Sequence, residues 1–586
     1  MDKKSFLAIG IITVIILLLP SYYQWINDQP EQSYKPDTTF SEEKNQADII
    51  EPAPLDSVIS SDRKPEAVTA ADEQKLIVQQ KISEENIFVE TPYISAIISN
   101  RGGGKIVSWH LKKYKKGENG FVQIVNEQMQ NGPTIRFITV DGIYLDLNDY
   151  IFELKDVKKQ TINLQENDKI TLSYDLNIKD SKIVKKVTLF GDRYHIDVDI
   201  TIENSQQLIL NNDYEIGWEN GLPSNEQNIV DDYSYSDAYA SMGGEIETFS
   251  IDSEDPVEDK TYNGKTDWIG VRTKYFLSAI IPKDVNTTGI TFSGEGIKSG
   301  EAVIKKYDPR INVNYNNSGM DRYQIYMGPL DHAVLKSYES GIDDIIMRHG
   351  WYEKAFRSIS LPILSLLKFF YMFIPNYGVV IIVFSILVKI VVYPLTKKSY
   401  KSMKEMSRVQ PLLAELREKY KSDPQRLNKE TMKLYKEHGI NPLGGCLPML
   451  LQLPLLGALF IVFRSTIQLR GASFIPGWIN DLSRPDTLFT LPFSLPLYGD
   501  QFNLLPILMA GSMILQSKMT MQDPKQKAMV YIMPIFMLLL FNQFPSGLNL
   551  YYTLFNVLTI IQQKVTDNKG ALEAVPAGGG KPKKKK

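Results

Sequence analysis

The feature that most constrains this chain is an apolar run, NYGVVIIVFSILVKIVVYPLT at Asn376–Thr396, which is long enough to cross a bilayer. One full charge, Lys389, interrupts the run, and Ser385 lies one helical turn earlier on the same face. A charge at bilayer depth costs roughly 2.5–3.5 kcal/mol, so such a residue usually faces a polar cavity or a substrate path. In the alternative, Lys389 extends to the headgroups, because Thr396 follows only about 10 Å further along the helix. The residue pattern leaves both interpretations open.

Further apolar segments predict a polytopic α-helical membrane protein with six transmembrane helices. In residues 1–27, Lys3 and Lys4 precede the apolar run Phe6–Leu19, and bulky aromatic residues follow where a cleavage site would need small ones. We interpret this segment as an uncleaved anchor with a cytoplasmic N-terminus. The other spans are predicted at Asn376–Thr396, Leu443–Ser465, Phe502–Gln516, Ala528–Phe544 and Leu548–Lys564.

The chain between the anchor and the second span is predicted to be exported. Residues 28–82 have the Asp-, Glu-, Pro- and Ser-rich composition of a flexible linker. Residues 83–345 change to period-two hydrophobicity, as in Lys169–Ile178 and His195–Ile202, with turns such as Arg101-Gly102-Gly103-Gly104. Many short strands with such turns predict an all-β sandwich.

One stretch of this domain, Val230–Asp259, is rich in Tyr, Ser and Asp. We interpret it as a long solvated loop, with a sugar or calcium site as the alternative. Residues 346–375 mix apolar residues with Lys354, Arg357 and Lys368, which predicts an amphipathic helix lying in the outer membrane interface.

The sequence offers little for enzyme chemistry. Its one cysteine, Cys446, excludes an intramolecular disulfide, and its five histidines form no metal-binding motif. The GGGK sequence at 102–105 lacks the spacing of a phosphate-binding loop. We therefore expect no catalytic residues, no metal and no cofactor.

Loop charges predict the orientation of the helices. Lysines and arginines are concentrated in residues 397–442, in the 518–527 loop and in the tail 566–586, whereas the 467–501 loop has only Arg470 and Arg484. By the positive-inside rule, the first three regions and both termini are cytoplasmic. Residues 28–375 are then outside the cytoplasm.

The cytoplasmic segment 397–442 is predicted to form a basic, amphipathic helical hairpin. Asp423-Pro424 is a helix start, and Gly439 ends the second helix. The hairpin could be a solvated helix pair or a docking surface for ribosomes or nascent chains. The basic tail has two similar interpretations: contact with ribosomal RNA, or contact with anionic lipid.

Several motifs resemble the YidC/Oxa/Alb family of membrane protein insertases, in the Gram-negative type with a large periplasmic domain. The membrane half, residues 376–565, carries the more specific part of this resemblance, and SNRGGGKIVSWHL, WIGVRTKYFLSAIIP and YMGPL carry a looser one in the exported half. The specific motifs are VKIVVYPLTKKSYKSMKEM at 388–406, NPLGGCLPMLLQLPLLGALF at 441–460, the LR pair at 469–470, DPKQKAMVYIMP at 523–534 and FPSGLNLYYTLFNVLTIIQQ at 544–563.

The resemblance implies five core spans around a hydrophilic groove open to the cytoplasm and to lipid, together with a periplasmic β-supersandwich. It implies insertion, folding and assembly of inner-membrane proteins, alone or with the Sec translocon and its accessory subunits, on chains delivered by ribosomes. Lys389 matches the position of the family's groove arginine, which keeps the charge but loses the bidentate fork. The groove or substrate-contacting residues carried over by this resemblance are Lys389, Ser385, Gln452, Tyr551 and Tyr552.

Two other function classes are weighed beside the insertase. A membrane-tethered periplasmic carbohydrate-binding or carbohydrate-active protein would suit a β-sandwich, but no paired acidic motif is identifiable. A transporter would show inverted repeats and several charged spans, and neither is found.

Overall fold

A computed structural model describes residues 82–117, 120–155, 159–251, 258–300, 302–316, 319–439, 447–496, 498–520 and 527–572. The predicted anchor 1–27, the linker up to residue 81, Cys446 and residues 573–586 of the tail lie outside the described residues.

The exported half is built from strands, as the period-two pattern predicts. Its short helices are α1 (Ser205–Leu208), α2 (Ile229–Ser234) and α3 (His332–Lys336), with 3-10 turns at Leu147–Asp149 and Ile342–Ile345. The strands in chain order are β1 (Asn86–Glu90), β2 (Ile94–Ser99), β3 (Lys105–Lys116), β4 (Gly120–Val125), β5 (Gly132–Thr139), β6 (Tyr144–Asp146), β7 (Glu153–Lys155), β8 (Thr161–Asn163), β9 (Lys169–Ile178), β10 (Ser181–Phe190), β11 (His195–Glu203), β12 (Ile209–Glu219), β13 (Asp237–Met242), β14 (Glu245–Phe249), β15 (Glu258–Asn263), β16 (Thr266–Arg272), β17 (Phe276–Lys283), β18 (Thr287–Ser299), β19 (Ala302–Asn314) and β20 (Asp321–Pro329).

These strands form three sheets, which we call the β domain. Their orders are β4-β3-β2-β1-β8, β14-β13-β16-β17-β20-β11-β10-β9-β7 and β15-β18-β19-β12-β5-β6. The second and third sheets pack face to face through β16 and β19, and their inner faces supply most of the apolar core. The prediction of a β-rich exported region is confirmed.

Local sequence signals account for the best-predicted elements. Strand β9 alternates exposed and buried positions, and Leu172, Tyr174, Leu176 and Ile178 are all buried on one face. The predicted turn before β3 is present, with φ of 65°, 64° and 95° at its three glycines. Such positive values favour glycine because a Cβ atom clashes there.

The interpretation of Val230–Asp259 as a solvated loop is wrong. Among its described residues, the stretch forms part of α2, all of β13 and β14, and the start of β15, and β13 is almost wholly buried. Its polar residues are buried because they have partners elsewhere: Asp237 bonds to Nδ1 of His349 at 2.9 Å. A hydropathy pattern cannot show partners that are distant in sequence.

The second half of the chain is helical and contains one small hairpin. Strands β21 (Thr487–Leu495) and β22 (Gly499–Asn503) pair antiparallel between two of the helices. The helices are α4 (Gly350–Tyr371), α5 (Tyr377–Arg408), α6 (Gln410–Lys419), α7 (Pro424–Glu437), α8 (Leu447–Ser465), α9 (Leu504–Thr520), α10 (Lys527–Phe541) and α11 (Ser546–Leu572).

Several helix boundaries differ from the predictions, and the clearest differences are in α5, α9 and α11, the last of which continues past the predicted Lys564 to Leu572. Helix α5 continues from the predicted span through Pro394 to Arg408, so the span and the first part of the cytoplasmic hairpin are one helix. Phe502, predicted to begin a span, belongs to β22, and the helix starts at Leu504. The predicted cap is confirmed, because the Asp423 carboxylate accepts the backbone N–H of Arg426.

Among the described residues, Tyr377–Pro394 is the one helical stretch both long and apolar enough to cross a bilayer. Three shorter apolar helical stretches accompany it at Gln452–Ser465, Leu504–Met519 and Val530–Phe541. A membrane core is present, and the count of six spans stays a prediction.

Candidate functional site

Helix α5 has one buried face and one exposed face. Val380, Ile381 and Phe384 are buried, whereas Ile390 and Val391 are about two-thirds exposed. Lys389 follows the buried positions at helical spacing, which places it on the face that packs against α11. The lysine is therefore held among helices and is only 8% exposed.

The ammonium group of Lys389 has two described neighbours on α11. Its Nζ donates a hydrogen bond to Oγ1 of Thr559 at 2.6 Å and lies 4.5 Å from the ring centroid of Phe555. A hydroxyl and an aromatic face solvate a cation without neutralising it. Neither α5 up to Thr396 nor α11 up to Lys564 contains an Asp or Glu, so its own two helices supply no counter-charge.

Polar contacts continue above and below Lys389 along α11. The Nδ2 of Asn556 donates to Oγ of Ser512 on α9 at 3.1 Å, and the Nε2 of Gln562 donates to Oγ1 of Thr396 on α5 at 3.0 Å. Asn556, Thr559 and Gln562 are spaced three residues apart, so they lie along one side of the helix. We call these three residues with Lys389 the polar strip.

The other predicted site residues lie around this strip. Ser385 is fully buried, and its hydroxyl donates to the carbonyl of Ile381 rather than to Lys389. Tyr551 is buried against Phe384 of α5, with ring centroids 6.0 Å apart. Tyr552 turns toward α8, where it is within hydrogen-bonding reach of Gln452. The structure thus brings Lys389, Ser385 and Tyr551 to the contact of α5 with α11, and Tyr552 and Gln452 to that of α8 with α11.

The residue pattern alone does not single out the part of the polar strip that lies on α11. Asn556, Thr559 and Gln562 recur at helical spacing inside an apolar segment, which is a recognisable signal of a helix face buried in protein. Their roles depend on which helix α11 faces, and a hydropathy pattern does not give that neighbour.

The outward faces of the helices are apolar. Ile390, Leu515, Ile532, Ile535 and Ile561 are each at least half exposed. Soluble proteins rarely expose apolar surface on this scale, so these faces indicate contact with lipid.

At the opposite end of the helices, the β domain contacts the membrane half through charge pairs. The carboxylate of Glu226 binds Arg470 at 2.6 Å and Arg484 at 3.1 Å. Asp231 binds Lys274 of its own domain at 2.7 Å and Arg464 of α8 at 2.6 Å.

At this boundary, the neighbouring positive charges favour the ionised form of Asp231. Although burial alone would raise the pKa of Asp231, the Lys274 ammonium and Arg464 guanidinium hold it below its usual value. Asp331 adds a third contact through Lys368 of α4, at 2.8 Å. Within the described residues, no group of three or more His, Cys, Asp or Glu could hold a metal ion.

Comparison with known proteins gives matches over both halves. A family model described as the YidC periplasmic domain matches residues 86–360, and one described as the 60Kd inner membrane protein matches residues 369–573.

Whole-length relatives agree with these matches. The chain is 36% identical to the membrane protein insertase YidC of Prosthecochloris aestuarii, with 100% of this chain and 99% of that protein covered. It is 35% identical to that of Chlorobaculum parvum, with 96% of this chain and 94% of that protein covered.

Solved structures give weaker matches. A crystal structure of an active YidC insertase with its first transmembrane domain resolved is 20% identical, with a TM-score of 0.34, and covers 84% of this chain and 94% of that one. A galactose mutarotase related enzyme from Lactobacillus acidophilus is 10% identical, with a TM-score of 0.26, and covers 41% of this chain and 97% of that one.

Proposed function

This chain belongs to the YidC family of membrane protein insertases, and from that premise we propose that it inserts and folds proteins of the inner membrane through the polar strip between its helices. The large β domain is then periplasmic. The carbohydrate-protein alternative finds no support in the whole-length relatives and is not proposed.

The observation that carries the proposed mechanism is the buried, charged position of Lys389. A transmembrane segment gains roughly 0.3–0.6 kcal/mol for each Leu-like residue that enters lipid, so insertion of the apolar part is already favourable. The remaining obstacle is moving a polar tail or loop across. A strip of hydroxyl and amide groups with a cation at its middle lowers that cost, because it offers hydrogen bonds and positive charge at membrane depth.

Short helices support the same mechanism. Helix α9 has 17 residues and α10 has 15, which correspond to about 25 Å and 22 Å of length. Both are shorter than a hydrocarbon core of about 30 Å. Short spans thin the bilayer locally and so reduce the distance that a polar segment must cross.

We propose the topology and the domain limits that the sequence predicts. Residues 1–27 anchor the chain, 28–82 form a linker, 83–345 form the periplasmic domain and 346–375 lie in the interface. Residues 376–565 form the insertase core with transmembrane helices 2–6, and residues 566–586 are a cytoplasmic tail. The partners proposed with this topology are nascent membrane proteins, the Sec translocon, lipid, and ribosomes at the basic segments 397–442 and 566–586.

Reconstitution tests the function directly. A two-span membrane protein with an acidic translocated segment is synthesised in a cell-free system beside vesicles that contain the full chain. We expect the translocated segment to become protected from external protease, with little protection in vesicles that hold an unrelated polytopic protein. Equal protection in both vesicle types would contradict the proposal.

A further inference from the structure

The hairpin β21–β22, between α8 and α9, exposes apolar side chains. From Thr487 to Gly499 the sequence TLFTLPFSLPLYG has no charged residue. Phe489 and Phe493 are 53% and 58% exposed, and Leu488 and Leu495 are more than two-fifths exposed. Most water-facing hairpins carry polar side chains on at least one face. The exposed apolar side chains of β21 are therefore expected to be covered by lipid or by another protein.

One end of the hairpin is fixed to the start of α9. Oδ2 of Asp486 accepts the backbone N–H groups of Leu504 and Leu505 at 3.0 and 2.8 Å. Asn503, the last residue of β22, donates its Nδ2 to the carbonyl of Asn542, one residue beyond the end of α10.

The turn of the hairpin also contacts Asn542. The Nδ2 of Asn542 donates to the carbonyl of Tyr498 at 2.8 Å and to that of Gln501 at 2.9 Å. Strand β22 therefore lies across the ends of α9 and α10 instead of projecting away from them. This places the hairpin at the level where those helices leave the hydrocarbon core.

The pairing of β21 with β22 is irregular over part of β21. Thr490 pairs with Gln501 and Leu495 pairs with Gly499, so residues 491–494 of β21 bulge between two consecutive recorded pairs. Phe493 lies in this bulge. On the other strand, Phe502 stacks on Phe489 with ring centroids 4.7 Å apart, which extends the apolar surface across the ribbon.

We propose that this hairpin is immersed in the outer leaflet of the bilayer, with lipid covering Leu488, Phe489, Phe493 and Leu495. Adjacent residues of a regular strand point to opposite faces, and Phe489 and Thr490, which pair in succession with Phe502 and Gln501, are both exposed, so the described residues cover neither face of this part of the ribbon. Lipid surrounds a ribbon on both faces, whereas a docked protein covers one. The proposal rests on the membrane orientation proposed above.

Spin labels measure the surroundings of the hairpin. The full chain carrying Cys446→Ser, which removes its one cysteine, is labelled at Phe493→Cys and placed in nanodiscs of phosphatidylethanolamine and phosphatidylglycerol. Power saturation compares collisions with oxygen, which is concentrated in lipid, and with a water-soluble nickel chelate. We expect an oxygen-to-nickel ratio several-fold higher at Phe493→Cys than at Asp500→Cys, an exposed polar position of the same hairpin.

Two results would overturn the proposal. Nickel access at Phe493→Cys equal to that at Asp500→Cys would show a hairpin in water, and low access to both reagents would show a protein contact. Leu488→Cys repeats the test at an exposed apolar position near the other end of β21. A label at Ile535→Cys, exposed on α10, distinguishes failure of this proposal from failure of the membrane orientation. If the label at Ile535→Cys is accessible to oxygen while the label at Phe493→Cys is accessible to the nickel chelate, only the hairpin proposal fails.

Discussion

Glu226 at the domain boundary and Lys389 in the helical core are about equally buried, but they have different partners. The Glu226 side chain is 8% exposed and binds two arginines, Arg470 and Arg484. Lys389 is also 8% exposed, and its described neighbours are a hydroxyl and a ring. A buried charge whose partners neutralise it stabilises an arrangement, whereas one with only dipolar partners remains available to a ligand. We infer that Glu226 stabilises the boundary between the two halves of the chain, and that Lys389 acts in the insertion of substrates.

The largest expected effect comes from removing the carboxylate at the boundary. Glu226→Ala leaves Arg470 and Arg484 without their shared partner, and breaking a buried pair typically costs about 3–5 kcal/mol. Denaturant unfolding of the purified full chain measures the loss.

The matched control for this change is Glu295→Ala, which breaks an exposed pair with Lys306 at 3.0 Å. Exposed pairs contribute about 1 kcal/mol or less. If Glu226→Ala costs no more than Glu295→Ala, the boundary pairs are not structural and the comparison with Lys389 fails.

A second prediction concerns a buried titratable group of the β domain that is held neutral. Burial lowers the pKa of His195 from 6.5 to about 4, and its Nδ1 bonds to the Tyr338 hydroxyl at 2.7 Å. Because the unfolded chain binds the proton more tightly, the contribution to stability is complete above pH 6.5 and is lost as the pH falls toward 4. The loss is roughly 2–3 kcal/mol.

Denaturant unfolding at several pH values between 7 and 4 measures this dependence. In His195→Gln the part of the slope that comes from this imidazole should disappear. An unchanged slope in the variant would mean that His195 is not held neutral in the folded protein.

The smallest expected effect concerns Asp486 in the membrane half, which is 2% exposed and whose Oδ2 caps the start of α9. Asp486→Ala should destabilise the protein by about 1 kcal/mol, within the range for a lost N-terminal cap. Asp486→Asn keeps an acceptor oxygen and should cost less. Thermal unfolding of the two variants side by side checks the order, and the reverse order would show that the cap is not the role of this carboxylate.

The parts of the fold that sequence predicts well are those with a local signal. Period-two hydrophobicity predicts β9 and β11, the three glycines predict the turn before β3, and a long apolar run with a single charge predicts most of α5. The family resemblance supplies Tyr551 and Gln452, which the residue pattern alone does not single out.

The parts that sequence misses depend on distant partners. Glu226 and Arg470 are 244 positions apart, and no periodicity relates them. The sequence does not predict the hairpin β21–β22, because β21 has no regular alternation of polar and apolar residues, and the last two residues of β22 are predicted as the start of the following span. The burial of β13 is not predicted for the same reason as the Glu226 pair: the partner of Asp237 is His349, 112 positions away in the sequence.

The most direct test of the central claim is insertion by variants at Lys389 in reconstituted vesicles, with substrates that differ only in whether the translocated tail is acidic or neutral. Two charges about 6 Å apart at an effective dielectric of about 20 interact by about 3 kcal/mol, which corresponds to roughly a hundredfold bias. We predict that Lys389→Arg retains activity, and that Lys389→Met stays folded but loses at least about tenfold in the initial rate for the acidic tail. Lys169→Met, which removes an exposed charge from the β domain, should change the insertion rate of neither substrate. If Lys389→Met inserts both substrates as fast as the unsubstituted protein, Lys389 only extends to the headgroups and the charged-strip mechanism is wrong.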